Sequence, residues 1–189
     1  MKWVIGVTGA SGLRLAHTFL QVLSENPNSA FERLFLVVSK NAEKVAAAEG
    51  SDFDAANYAD KFELLSPGDF SAPIASGSFD LDGMVVIPAS MSSLGAMASG
   101  FGTNLIHRSA DVCMKEGRRL ILVPRETPFS LIHLENMTRL KRAGADIVPF
   151  IPSFYNRPES IEDMMRFFSI RLLSVMGAHV PGKNRWGDA

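Results

Sequence analysis

Apolar residues in this chain come in short unbroken runs, each closed by glycine, proline or serine and followed by a segment with helical spacing. Trp3–Val7 is the first run and reads as a buried parallel strand. After the turn Thr8-Gly9-Ala10-Ser11-Gly12, the segment from Leu13 to Leu23 puts Leu15, Phe19, Leu20 and Leu23 on one helical face, and Asn26-Pro27-Asn28 stops it. Leu34–Val38 is a second strand, and Ser39 caps a helix that runs to about Glu49. From Gly50 to Phe79 the pattern weakens around Pro67-Gly68, Pro73 and Ser76-Gly77-Ser78, leaving loop with one short strand near Phe62–Leu65.

Periodicity returns at Met84–Ile87, a third strong strand, followed by Pro88-Ala89-Ser90 and a small-residue helix from Ser92 to Ser99. Asn104–Glu116 predicts a helix, Leu120–Val123 a strand, and Leu131–Ala143 a helix ended by Gly144. Asp146–Phe150 is the last strand and Ser160 to Met176 the last helix, with Ser160 and Asp163 in capping-box spacing. Strands alternating with helices imply an α/β fold: a Rossmann-like three-layer sandwich with right-handed crossovers and a parallel sheet flanked by helices.

Composition narrows the functional classes. With 189 residues the chain reads as one domain spanning 1–189, large enough for a substantial core. A net charge of −1 gives no global field toward nucleic acid or an anionic membrane, so affinity for anions must come from local clusters. The one cysteine, Cys113, excludes an intrachain disulfide and reads as a small buried hydrophobe. The start, MKWVIGVTGASG, enters a strand directly, without a signal-peptide pattern or a membrane-spanning run, so cytoplasmic residence is expected. His17, His107, His133 and His179 are scattered and lack paired metal-ligand spacing, so no metal is expected. No G-x-S-x-G elbow exists for a nucleophilic triad.

Three strand ends carry hydroxyl-bearing turns: Gly9-Ala10-Ser11-Gly12, Ser39, and Ser90-Met91-Ser92-Ser93. Each turn alone fits a structural turn or a cap as well as a ligand site. Together they favour a phosphate-bearing cofactor at helix-opening amides. The dinucleotide fingerprint is missing, Ser39-Lys40 stands where ribose recognition would want an acid, and there is no Walker lysine. A mononucleotide such as FMN fits better than NAD or a nucleoside triphosphate.

The segment from Asn104 to Asn136 gathers Arg108, Lys115, Arg118, Arg119 and Arg125 around one apolar strand that ends in Pro-Arg-Glu-Thr-Pro. Arg118 and Arg119 read as a solvated charge run, whereas Arg125-Glu126 between prolines reads as a positioned pair at a strand's carboxyl end. Arg108 and Lys115 are seven residues apart on one helix and so share a face. With Tyr155 and Arg171 they could bind a terminal phosphate ester, although a surface helical charge suits Arg171 equally well. Glu49 closes its helix, where the dipole disfavours a carboxylate, and this leaves either a functional site or a solvent-facing end.

These residues resemble those of the flavin prenyltransferases of the UbiX type, formerly known as aromatic-acid or 3-octaprenyl-4-hydroxybenzoate decarboxylases. The likeness runs from VTGASG to Arg185-Trp186-Gly187. It includes Ser39-Lys40, Glu49, Ala75–Ser78, the segment through PRETP and FYNRPESIEDM. The resemblance implies FMN binding by Gly9, Ala10, Ser11, Ser39, Ser90, Met91, Ser92, Ser93 and Arg125. It also implies dimethylallyl phosphate binding by Arg108, Lys115, Tyr155 and Arg171. Ser11, Glu49 and Glu126 would take part in chemistry that joins the dimethylallyl group to reduced FMN, first at N5 and then at C6.

The family forms large homo-oligomers, dodecamer-like, with sites between subunits. The tail 177–189 is therefore expected to pack on a neighbouring copy, and the product to serve a separate prenyl-FMN-dependent decarboxylase. Leu15 and Ala16 stand where the family often has an aromatic and a glycine, and Ala89 where it often has cysteine. Two other readings remain. An FMN-dependent aromatic-acid decarboxylase would want a catalytic histidine beside the flavin, and an FMN carrier would have no use for a base at Glu49.

Overall fold

The structure is a computed structural model that describes residues 1–25 and 31–178. The expected helix stop at 26–28 and the tail from residue 179 lie outside the described residues. Strands β1 (Lys2–Val7), β2 (Arg33–Val38), β3 (Glu63–Leu65), β4 (Gly83–Ala89), β5 (Arg119–Pro124) and β6 (Asp146–Ile147) form one sheet. Its order is β3-β2-β1-β4-β5-β6, with every neighbouring pair parallel. The chain thus winds outward in one direction from β1 and, after β3, in the other from β4. That reversal leaves a crevice at the carboxyl ends of β1 and β4.

Both faces of the sheet are covered, which explains the continuous apolar runs in the sequence. Trp3, Ile5 and Val7 point to one side, where α1 (Leu13–Glu25), α2 (Lys40–Glu49) and α6 (Ile161–Val175) pack. Val4, Phe35, Val37, Val86 and Leu122 point to the other, against α3 (Met91–Ser99), α4 (Leu105–Lys115) and α5 (Leu131–Arg142). Cys113 is buried on this second face, and burial pushes its thiol up to about 12 despite the opposing effect of Arg118. It is the inert hydrophobe expected.

Most element ends match the sequence reading. Ser39 caps α2 by accepting from the Ala42 N–H at 3.2 Å. At α6 both halves of the predicted box form: Ser160 Oγ accepts from Asp163 N, and Asp163 Oδ2 accepts from Ser160 N, each at 3.0 Å. One strand is shorter than expected. β6 holds two residues instead of running to Phe150, although Val148 N still donates to Leu122 O at 2.8 Å. Pro149 has no N–H to carry the ladder further.

Helix α1 opens directly from the first turn, and Phe19 on its inner face is fully buried among residues of β1, β4 and α6. Phe19→Ala should lower the unfolding free energy by about 3–5 kcal/mol. Denaturant unfolding of the variant beside the parent checks this, and a loss below about 1 kcal/mol would contradict the packing described.

Candidate functional site

The crevice is stitched together by Thr8, which the sequence reading passed over. Thr8 is 2% exposed. Its hydroxyl donates to Pro88 O at 2.7 Å and accepts from Ser90 N at 2.8 Å, while its own N–H donates to the same Pro88 carbonyl at 3.2 Å. Ser39 N donates to Val7 O at 2.9 Å, and Arg125 N donates to Ala89 O at 3.2 Å. The ends of β2, β1, β4 and β5 are therefore fixed to one another at the residues predicted to bind a phosphate. Ser90 Oγ caps α3 by accepting from Ser93 N, and it lies 3.1 Å from the hydroxyls of both Ser92 and Ser93.

Gly9 meets a steric demand from within the chain as well. A Cβ there would lie 2.5 Å from Asn41 Cβ and 2.9 Å from the Asn41 backbone carbon. The first turn of α2 thus demands glycine at this position by itself.

Glu49 also departs from the sequence reading. It does end α2, but its carboxylate reaches the start of α1, where Oε1 accepts from Gly12 N at 2.8 Å and Oε2 from Leu13 N at 3.2 Å. The dipole that counts is that of α1, and there a negative charge is favourable. Burial pushes the Glu49 carboxyl up. The Ser11 hydroxyl, the Gly12 and Leu13 amides and the nearby Arg125 charge outweigh it and hold the group below the usual carboxylate range. Glu49 stays exposed, yet its carboxylate is fixed on the start of α1 rather than left to solvent alone.

Beside this cap opens a predominantly apolar cleft of about 470 Å³. Ser11, Arg125 and Glu126 line it together with Leu15, Phe150 and Met165. Glu126 is half-buried and accepts from Thr127 N at 2.9 Å. Of the two departures on α1, Leu15 faces this cleft whereas Ala16 is in the core. Arg14, also on the wall, is ion-paired with Glu162 and so ties α1 to α6.

Other expected residues do not converge within one chain. Lys115 ends α4 four residues before β5 begins, at the amino edge of the sheet and opposite the cleft. Arg108 stands two helical turns back, about 10 Å along the axis. Tyr155, in the short turn Phe154–Asn156, and Arg171 on α6 are exposed, and neither lines the cleft. Arg118 is half-buried rather than solvated, with Nη2 donating to Gly77 O, while Arg119 is exposed as expected and its Nη1 donates to Val175 O, each at 2.7 Å.

None of the three described histidines lines the cleft. His17 Nδ1 meets the Tyr58 hydroxyl at 2.8 Å, His107 is buried, and His133 completes a capping box with Ser130 at the start of α5. Among the described residues no group of three or more His, Cys, Asp or Glu side chains could hold a metal ion.

Comparison with known proteins agrees with this arrangement. A family model described as flavoprotein matches residues 1–168. The flavin prenyltransferase LpdB of Lactiplantibacillus plantarum is 44% identical over 187 residues, covering 98% of each chain. A dodecameric FMN-dependent UbiX-like decarboxylase from Escherichia coli O157:H7 superimposes with a TM-score of 0.90 at 43% identity, over 98% of this chain and 99% of its own. AnUbiX (PadA1) in complex with FMN and dimethylallyl pyrophosphate gives a TM-score of 0.85 at 43% identity, over 93% and 92%. With likeness of this degree from end to end, the chain belongs to the flavoprotein family, among its flavin prenyltransferases of the UbiX type.

Proposed function

We propose that the protein joins a dimethylallyl group from dimethylallyl phosphate to reduced FMN, making the prenylated flavin that a separate decarboxylase uses. The observation that carries this is the gathering of Ser11, Arg125 and Glu126 on one apolar cleft, with the Glu49 carboxylate fixed beside Ser11. A carrier would need the phosphate turns but not this pair of carboxylates. A decarboxylase using a histidine would find none of the described ones on the cleft wall.

The residues fit FMN. Gly9, Ala10, Ser11, Ser39, Ser90, Met91, Ser92, Ser93 and Arg125 sit on strand ends that Thr8 and its neighbours hold in register, which suits a single phosphate with a flat ring beside it. Reduced FMN would supply the nucleophilic N5 and C6 at which the two bonds form. Apolar side chains such as Leu15, Phe150 and Met165 keep water from an allylic cation. Glu126 moves the proton near the departing phosphate, and Ser11 orients it. Glu49 accepts the proton lost from C6. That proton leaves a ring regaining aromaticity, so a carboxylate held below its usual range is base enough.

Arg108, Lys115, Tyr155 and Arg171 bind the phosphate of the donor. Because Arg108 and Lys115 lie away from the cleft of their own chain, they serve the cleft of a neighbouring copy in a homo-oligomer. Support comes from large apolar side chains left exposed near the cleft, among them Leu131, Ile132, Ile151 and Phe154, each about two-thirds or more accessible. A dodecameric relative at 43% identity points the same way. No helix among the described residues is long and apolar enough to cross a membrane; cytoplasmic residence is part of the proposal.

Incubation with reduced FMN and dimethylallyl phosphate, followed by flavin mass, tests the function. The mass should rise by one dimethylallyl group less the hydrogen it replaces, and an unchanged mass with both the mono- and the diphosphate would overturn the reading. Thr8→Val keeps the shape of the side chain but leaves Ser90 N without its acceptor. It should cost about 1–3 kcal/mol and weaken FMN retention, with Thr8→Ser restoring both. Equal FMN content in Thr8→Val and parent would show that the tie is not needed for the flavin.

Glu49→Gln should release phosphate without completing the two-bond product, as read by single-turnover mass detection. It should also destabilise the protein at pH 7 by about 1 kcal/mol, since an amide has one acceptor oxygen for two N–H groups. The carboxyl is held below its ordinary value of 4.5 in the fold. Its contribution is therefore complete above that value and is lost as pH falls through the lower folded one. The stability gap between parent and variant should be widest near neutrality and close in acid. A gap that stays constant with pH would remove Glu49 from the α1 cap.

A further inference from the structure

The loop Ala75–Ser78 does not line the cleft, yet it touches three cations of α4 and the turn after it. Arg108 Nε donates to Ala75 O at 2.9 Å, while its Nη1 donates to Asp111 at 2.7 Å. Arg118 Nη2 donates to Gly77 O at 2.7 Å. Ser109 Oγ, buried on the same helix, donates to Ile74 O at 3.2 Å and pins the loop's entry. Ser76 and Ser78 close the loop on itself, with their hydroxyls 2.8 Å apart.

Gly77 lies against the third cation. A Cβ built there would sit 2.5 Å from Lys115 Nζ and 3.0 Å from Glu116 Cδ, and nearer still to Glu116 Oε1, the atom paired with Lys115. These are the ends of two flexible side chains, with no backbone among the nearest atoms. The φ of Gly77 is not positive, so an alanine meets no backbone strain there. An added methyl group would therefore displace the ion pair rather than the fold.

We infer that the Ala75–Ser78 loop is the template that sets the positions of Arg108, Lys115 and Arg118, and that Gly77 is the positioning residue for Lys115. Two of its carbonyls orient the guanidinium groups, and the bare Cα of Gly77 is the space in which the ammonium group and its Glu116 partner lie. The inference rests on the proposed role of Lys115 toward the donor phosphate. It adds a reason for the glycine in Ala-Ser-Gly-Ser that neither the flavin turns nor the cleft supplies.

Gly77→Ala, Lys115→Ala and the double variant test it, with the KM and kcat for dimethylallyl phosphate, FMN affinity and thermal unfolding as readouts. Gly77→Ala should raise the donor KM on the order of tenfold or more, with FMN affinity and melting temperature unchanged. Added to Lys115→Ala it should cost nothing further, because the group it displaces is already gone. A normal donor KM in Gly77→Ala beside an impaired Lys115→Ala would overturn the inference and leave the proposed function standing. A full additional loss in the double variant would overturn it as well, since Gly77 would then act through something other than Lys115. Normal behaviour of Lys115→Ala would remove Lys115 from the donor site and the inference with it.

Discussion

The site depends on the hydroxyl of Thr8. The inner strands of a parallel sheet satisfy their backbone within the ladder until the strand ends, where N–H and C=O groups run out of partners. At the switch point the two central strands part, and Thr8 bridges them by donating to Pro88 O and accepting from Ser90 N. The turn after β1 and the cap of α3 are thereby set relative to each other by one buried group. Ser39 and Arg125 join the same arrangement through single backbone bonds from β2 and β5. The hydroxyl-bearing turns are thus parts of one surface held by the strands.

Much of the fold was legible because its physics is local. Continuous apolar runs mark strands buried on two sides, and Ser39 and Ser160 announce helix starts by chemistry that acts within three residues. The misjudged places are those where the deciding partner is distant in sequence. Glu49 looked ill-placed for its own helix because nothing in the sequence says that α2 ends against the start of α1, 36 and 37 positions away in the chain. Arg118 looked solvated because its acceptor, Gly77 O, is 41 positions away. At α5, a histidine fills the place where a glutamate or glutamine would have signalled the capping box.

The candidate site was legible in the same uneven way. Ser11, Arg125 and Glu126 share the cleft wall because strand ends converge by topology alone. Thr8 was missed, although a hydroxyl residue immediately after a central strand is a signal that could have found it. Arg108 and Lys115 were rightly seen on one helix, since seven residues make two turns. Helical spacing does not reveal which edge of the sheet a helix end reaches, and Lys115 reaches the amino edge.

That placement has a consequence for assembly. The cleft opens at the carboxyl edge, while the cations of α4 run toward the amino edge, so on the proposed reading each copy uses two different surfaces, one to give cations and one to receive them. A contact of this kind is heterologous, and it propagates from copy to copy until rotation closes it into a ring or it runs on as a filament. On the proposed reading, every member of a closed ring is both donor of cations to one neighbour and recipient from the next. A single copy then holds no whole site, and an open arrangement leaves half-sites unused at its ends.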